Sequence, residues 1–301
     1  MILNDNLKGA LLMTASMGAF TLNDVFVKLL AADLPLFQIV FLRGLLTTIM
    51  LAGLAAWFGQ LRFRMEPSDR AKLGWRTVFE IAAMVAFLMA LVNMPIANAT
   101  AILAALPLSV TLAAALFLGE PLGWRRLSAI LVGFAGVMLI VQPGSDGFNV
   151  WSLSALLAVL IITGRDLVTR RFSAGLPSLG VAVITAAAVG IFGGVLSIFE
   201  TWAPLGLREA LLITLASVFI IGGYLFSIMV MRVGEVAVVS PFRYTGLIFA
   251  LIFGLLLLGE WPNGVALLGA GVVVATGVYT ILRERAVASR ARRAARAGTA
   301  V

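Results

Sequence analysis

Long apolar stretches, separated by short polar segments, follow one another along the whole chain. A helix needs about 20 mostly apolar residues to cross the hydrocarbon core of a bilayer. Ten stretches reach that length, and the segments between them are too short to hold a soluble domain. The predicted spans are 8–31, 35–58, 75–93, 96–118, 124–141, 150–170, 178–200, 208–231, 236–258 and 263–282. The pattern predicts an all-α integral membrane protein with ten transmembrane helices.

The composition agrees with a membrane protein and removes several kinds of chemistry. Of the 301 residues, 61% are hydrophobic and 12% are charged, whereas a soluble domain has about 25% charged residues. The chain has no Cys and no His, which excludes disulfides, thiol nucleophiles, Ser-His-Asp triads and HExxH zinc sites. We therefore expect that the protein is not an enzyme and has neither a metal site nor a cofactor.

Positive charge is distributed unevenly among the predicted connections. Most Lys and Arg residues lie at the start of the chain, in the connections after even-numbered spans, or in the tail from Arg283. The opposite connections hold Arg208, with Lys28 near a boundary. Because basic residues favour the cytoplasmic side, we expect a multi-pass protein of the bacterial inner membrane with both termini in the cytoplasm. Topology and contact with the lipid bilayer explain the net charge of +8, so no nucleic-acid partner is expected.

Two motifs occur twice along the chain. Asp24 is followed four residues later by Lys28, and Asp166 is followed at the same spacing by Arg170. A Leu-Gly-Glu motif at 118–120 recurs at 258–260. The distance along the chain between the two copies is nearly the same for both motifs, which divides the chain into two repeats of five helices each. Because five is odd, the second repeat must enter the membrane from the opposite face.

This organisation favours a transporter. We predict an N-terminal segment at 1–7, a first five-helix repeat at 8–141, a second at 150–282 and a basic tail at 283–301. Inverted repeats supply the two states of secondary transporters, which work by alternating access. A channel-like or lipid-flipping conduit is an open alternative. An intramembrane enzyme is another, although the sequence offers only carboxylates and Arg at membrane depth for its chemistry.

Several segments resemble the EamA domain of the drug/metabolite transporter superfamily. The stretch from Pro95 to Val141 combines an Ala-rich helix with Pro107, the Leu-Gly-Glu motif, the pair Arg125-Arg126, and Gly133 with Gly136. Further segments that resemble this family are Gly234 to Leu282, Gly9 to Lys28 and Phe41-Leu42-Arg43-Gly44.

The resemblance implies ten helices around a central cavity, with the fifth and tenth helices set to one side. Family members move amino acids, nucleoside-like metabolites, vitamins, polyamines and drugs. Relatives with a similar first helix are associated with uptake of riboflavin or S-adenosylmethionine. The expected cargo is therefore a small polar organic metabolite, driven by a proton or solute gradient, and a homodimer is an open alternative.

Charged residues at membrane depth are costly, so they should face a cavity or a partner. Asp24 and Arg43 lie at similar depths on the first two spans, and Asn23 is adjacent to Asp24. We interpret this group as substrate-binding, with a purely structural Asp24–Arg43 pair as the alternative.

A second group of charges lies on the third and sixth spans. Glu80 is a candidate for proton coupling, and an ion pair with Arg76 is the alternative. Arg165 and Asp166 mark either an inner gate or a solvated helix end.

The third group surrounds two prolines. Arg243 lies two residues after Pro241 and next to Tyr244, and it is predicted to be an isolated substrate-binding charge within the ninth span. Pro107, with Asn98 nearby, is the corresponding break in the fourth span. Because proline removes a backbone hydrogen bond and bends a helix, both prolines are gating candidates. Tyr244 and Asn98 are further predicted substrate contacts.

Overall fold

A computed structural model describes most of the chain. The described ranges are 5–60, 66–120, 122–145, 147–173, 178–233 and 239–298. The sequence-based predictions also used residues outside these ranges, namely 1–4 and 299–301 at the two ends, the basic residues Arg62 and Arg64 after the second span, and residues 234–238, where the predicted ninth span begins.

Ten helices of the described chain are long and apolar enough to span a membrane, as predicted. They are α1 (Asp5–Leu30), α2 (Leu36–Trp57), α3 (Pro67–Asn93), α4 (Ile96–Leu118), α5 (Trp124–Val141), α6 (Trp151–Thr169), α7 (Ser178–Ser197), α8 (Leu207–Val233), α9 (Ser240–Leu258) and α10 (Gly264–Gly298). The described residues contain no strand. We call the membrane face where α1 begins the near face, and the face where it ends the far face.

Helices α4 and α9 are irregular near the predicted prolines. Helix α4 consists of Ile96–Leu103 and Leu106–Leu118, and Pro107 lies in the first turn of its second part. Helix α9 begins as a 3-10 turn at Ser240–Tyr244 that contains Pro241, and it ends as a π-helical turn at Gly254–Leu258. Proline cannot donate a backbone hydrogen bond, which explains why the break in α4 and the 3-10 turn of α9 each include one.

Two helices are longer than their predicted spans. Helix α3 begins at Pro67 rather than at 75, and α10 continues to Gly298 rather than ending at 282. The prediction followed the apolar stretch, whereas a helix can continue into water where polar residues have good helix propensity. The Arg- and Ala-rich sequence after 282 is of that kind.

The two copies of the Leu-Gly-Glu motif have the same backbone geometry. Gly119 and Gly259 end their helices in the left-handed conformation, with φ of 69° and 66°, which glycine adopts without steric cost. The N–H of Glu120 donates to Ala114 O over 3.3 Å, and that of Glu260 donates to Gly254 O over 2.8 Å. Ala114 and Gly254 hold the same position relative to their motifs, so the repeat seen in sequence is also a repeat in structure.

Helices of one repeat pack mainly against helices of the other. The main pairs are α1 with α8, α2 with α7, α3 with α6, and α5 with α10, and α4 also contacts α9. If α1–α5 correspond to α6–α10, exchanging the repeats converts each of these pairs into another member of the same set. The helix packing therefore obeys a two-fold relation between inverted repeats.

Apolar packing is concentrated towards the far face. One buried cluster joins the far halves of α1 and α2 to α3, α4, α8 and α9 through residues that include Val25, Leu30, Ile39, Leu91 and Ile96. Towards the near face, the described chain has two smaller buried clusters, one of Met13, Val230 and Val239 and one of Leu51, Ala55, Leu179, Val183 and Ile221. Apolar packing is therefore more extensive on the far side of the helix bundle.

The contact between α2 and α7 leads to a prediction about stability. A Cβ on Gly44 would lie 2.6 Å from the Gly190 Cα, whereas a Cβ on Gly53, also in α2, would have nothing within 4 Å. We expect Gly44→Ala to destabilise the fold by about 1–3 kcal/mol, because overpacking forces the helices apart. Thermal unfolding in detergent measures this, with Gly53→Ala as the matched control. Equal midpoints for the two variants would contradict the close contact.

Candidate functional site

A cavity of about 740 Å³ lies between the two repeats. Its wall combines residues of α1–α4 with residues of α6, α8, α9 and α10. Its volume is within the range of small-molecule binding sites, about 300–1,000 Å³. The residues at its near-face end are Thr169, Arg170, Ser240, Arg243, Thr280 and Ile281, which we call the mouth. The cavity thus extends from the middle of the bundle towards the near face.

Three residues at the inner end of the cavity form a hydrogen-bonded chain. Arg43 Nη1 donates to Asn23 Oδ1 over 3.0 Å, and Asn23 Nδ2 donates to Asp24 Oδ1 over 2.9 Å. Arg43 and Asn23 are buried, whereas Asp24 is partly exposed and lines the cavity. The two charges predicted to meet are therefore brought together, but Asn23 joins them.

A second charged group lies on α3 and α6. Arg165 Nη1 contacts Glu80 Oε2 at 3.0 Å, while its Nη2 contacts Asp166 Oδ1 at 2.8 Å. Arg76 approaches the same Glu80 oxygen to 3.6 Å. The Arg76 pair was the predicted alternative for Glu80, but the closer partner, Arg165, was not predicted from the sequence. Glu80, Arg165 and Asp166 all line the cavity.

The mouth carries a further pair and an exposed guanidinium. Arg170 Nη1 lies 3.2 Å from Glu120 Oε1, and both side chains are about half exposed. Arg243 is exposed, whereas the neighbouring Tyr244 is buried in the cavity wall. Within the described chain, the Tyr244 hydroxyl has no hydrogen-bond partner, and it packs against Gly277.

An ion pair with backbone partners lies towards the far face. Lys28 Nζ lies 2.6 Å from Glu260 Oε1 and 2.5 Å from Met94 O. The second oxygen of Glu260 accepts a hydrogen bond of 2.9 Å from the N–H of Ile96. This arrangement connects the end of α1 to the start of α4 and the end of α9.

The two predicted substrate contacts near the prolines are placed differently. Of the described cavity wall, α4 contributes Thr100 and later residues but not Asn98, so substrate contact by Asn98 stays a prediction. Asn98 lies in the first turn of α4, whose neighbouring positions pack into the bundle. Arg243 is exposed at the mouth of the cavity. It lies in the 3-10 turn of α9, and its role in substrate binding stays a prediction.

Some wall residues carried only a weak sequence signal. Tyr224 on α8 lines the cavity and packs edge-to-face with Phe20 at a centroid distance of 5.3 Å. A single aromatic in an apolar helix is equally compatible with lipid contact or helix packing. These two roles are distinguished only by the structure, in which Tyr224 contacts Phe20 of α1.

The arrangement suits binding of a charged organic molecule. The wall includes three acids, Asp24, Glu80 and Asp166, and four bases, Arg43, Arg165, Arg170 and Arg243. Among the described residues, no group of three or more acids, Cys or His has the geometry to hold a metal ion. Carboxylates and guanidinium groups can instead bind the opposite charges of a solute.

Proteins of similar sequence are transporters. The chain is 23% identical over 290 residues to the S-adenosylmethionine uptake transporter of Rickettsia prowazekii, covering 94% of this chain and 97% of that protein. It is 26% identical over 286 residues to the pseudopaline exporter CntI of Pseudomonas aeruginosa, covering 95% and 99%. It is 28% identical over 211 residues to the riboflavin transporter of Rhizobium johnstonii, covering 69% of each.

The fold and the family are consistent with these similarities. A solved crystal structure of a protein with 20% sequence identity superposes with a TM-score of 0.61, covering 90% of this chain and 98% of its own, and has the same fold. Residues 7–142 and 149–283 each match the EamA-like transporter family. These two matches together cover most of the chain, so the protein belongs to the EamA-like transporter family.

Proposed function

We propose that this membrane transporter carries a small polar organic metabolite across the bacterial inner membrane by alternating access. The observation that supports this proposal is the charged cavity, which lies between two inverted repeats and extends to the near face, while a buried ion pair and apolar packing join the helices at the far face. A solute would enter at the mouth, bind at the inner end, and leave at the far face after the repeats exchange conformations. The same cycle operates in either direction, so the gradient sets import or export.

The charges of the wall favour a zwitterionic or modestly anionic solute. Asp24 offers a carboxylate to a cationic group, because its Oδ1 accepts from Asn23 while the side chain remains partly exposed to the cavity. Arg243 at the mouth offers a guanidinium that can bind a carboxylate or phosphate and stack on a ring. An amino-acid-like or nucleoside-like metabolite such as S-adenosylmethionine, or a vitamin such as riboflavin, fits parts of this description.

Asp24 is also our preferred proton-coupling residue. Glu80, the other candidate, contacts the guanidinium groups of both Arg165 and Arg76. A proton on Glu80 would remove the charge that holds both contacts. Asp24 instead has a neutral amide as its side-chain partner, so exchange of a proton for a solute cation there leaves the Arg165 network intact.

The first prediction about function concerns Asp24. Asp24→Asn should weaken binding of a cationic or zwitterionic solute roughly 10-fold or more, since a hydrogen bond to a charged group contributes about 1.5–3 kcal/mol. Thermal-shift titration of the purified protein with S-adenosylmethionine, riboflavin and a panel of amino acids identifies the solute and measures the change. Asp33→Asn, which removes an exposed carboxylate at the far face, is the matched control. Equal loss in both variants would argue against binding at Asp24.

The second prediction concerns carrier behaviour. In proteoliposomes, the labelled solute from that titration should show saturable counterflow, as a carrier requires. Arg243→Gln should raise the half-saturating concentration for a solute that carries a carboxylate or phosphate. Arg171→Gln, at the exposed end of α6, should leave it unchanged. Flux that never saturates would indicate a channel-like conduit and overturn the proposal.

The third prediction concerns orientation. We expect the near face to be cytoplasmic, because the basic connections and tail lie on that side. Green fluorescent protein fused to the C-terminus should fluoresce in a bacterial host, and alkaline phosphatase fused there should be inactive. Active phosphatase would place the C-terminus outside and reverse the proposed orientation.

A further inference from the structure

We propose that the two ion pairs Lys28–Glu260 and Arg170–Glu120 are matched gates, one at each membrane face, and that burial of one pair with solvation of the other switches the cavity between faces. The inference rests on the proposed alternating access. It adds the identity of the contacts that stabilise each of the two states.

The four residues are equivalent in pairs under the repeat. Arg170 occupies in the second repeat the motif position that Lys28 occupies in the first, and Glu260 likewise corresponds to Glu120. Each pair joins a base of one repeat to an acid of the other. Exchanging the repeats therefore converts the far-face pair into the near-face pair. The helix contacts obey the same exchange, because α1 contacts α9, and the equivalent helices α6 and α4 also contact each other.

The far-face pair is in its closed form. Its ion contact is 2.6 Å, and the side chains of Lys28 and Glu260 are only 11% and 24% exposed. Both ends are further held by backbone groups, Met94 O for the ammonium and the Ile96 N–H for the carboxylate. A buried ion pair of this kind needs such extra hydrogen bonds to offset its desolvation.

The near-face pair is in a looser form. Arg170 and Glu120 are 3.2 Å apart, with 48% and 49% of their side chains exposed, and Arg170 borders the mouth of the cavity. An exposed pair contributes little stability. In the opposite state, the two-fold relation requires this pair to become the buried one and Lys28–Glu260 to become the solvated one.

Each gate therefore biases the equilibrium between two states. Weakening Lys28–Glu260 removes contacts that exist only when the far face is closed, so the population shifts towards opening at that face. Weakening Arg170–Glu120 shifts it the other way. A pair that only stabilised the fold would lower stability without changing which face is open.

The native chain contains no Cys, so a single introduced thiol reports on access to the cavity. Thr100 suits this purpose because it lines the cavity, is partly exposed, and lies one turn after Ile96 at the far gate. In the Thr100→Cys background, the labelling rate with a membrane-impermeant maleimide is measured in right-side-out and inside-out vesicles. No solute is added.

We expect Glu260→Gln to raise the rate from the far face at least about fivefold, the lower end of typical coupling between conformational states. Glu120→Gln should lower the rate from that face. Asp33→Asn, which removes the exposed far-face pair with Arg208, is the control and should change neither rate.

Unchanged far-face labelling in Glu260→Gln, with labelling from the near face retained, would overturn the gate assignment. Retained near-face labelling shows that the variant is folded. An increase with Asp33→Asn as large as that with Glu260→Gln would also overturn it, since any far-face charge would then have the same effect. Because the assay needs no substrate, its failure is distinct from a failure to find saturable transport.

Discussion

A charge placed in the hydrocarbon core must find a partner, and this requirement organises the interior of the protein. Lys28, Arg43 and Arg165 each contact a polar group from a different helix. The Lys28 and Arg165 pairs join helices of opposite repeats, so the polar contacts are concentrated where the repeats meet. The outer surfaces of the helices can then be apolar, and the cavity acquires a charged wall.

The odd number of helices in each repeat gives that wall a second property. Equivalent residues lie at opposite depths, so one local structure occurs once near each face. The left-handed glycines Gly119 and Gly259 show this most directly, since their φ angles differ by only a few degrees. The two copies nevertheless have different surroundings, because Glu260 pairs with a mostly buried Lys28 and Glu120 pairs with a half-exposed Arg170.

Much of the fold could be predicted from the sequence, because hydrophobic length and motif spacing are local properties. The ten spans, the two repeats and the irregularities near Pro107 and Pro241 belong to this class. The contact partner of each charged residue could not be predicted in the same way. Lys28 and Glu260 lie near opposite ends of the chain, and the apolar pattern around each shows only that both lie near a membrane boundary. The depth of a charge was equally hard to predict, because it depends on where a helix begins. The polar first turns of α3, for example, were left out ahead of Glu80.

The glycine contact between α2 and α7 has a mechanical consequence. These two helices are exchanged with each other by the two-fold relation, so their contact lies close to the axis. A rotation about that axis displaces nearby atoms least and the ends of the bundle most. With backbone against backbone at Gly44 and Gly190, no long side chains have to repack there. The contact is thus suited to act as a fulcrum, about which small angular changes become large movements at either membrane surface.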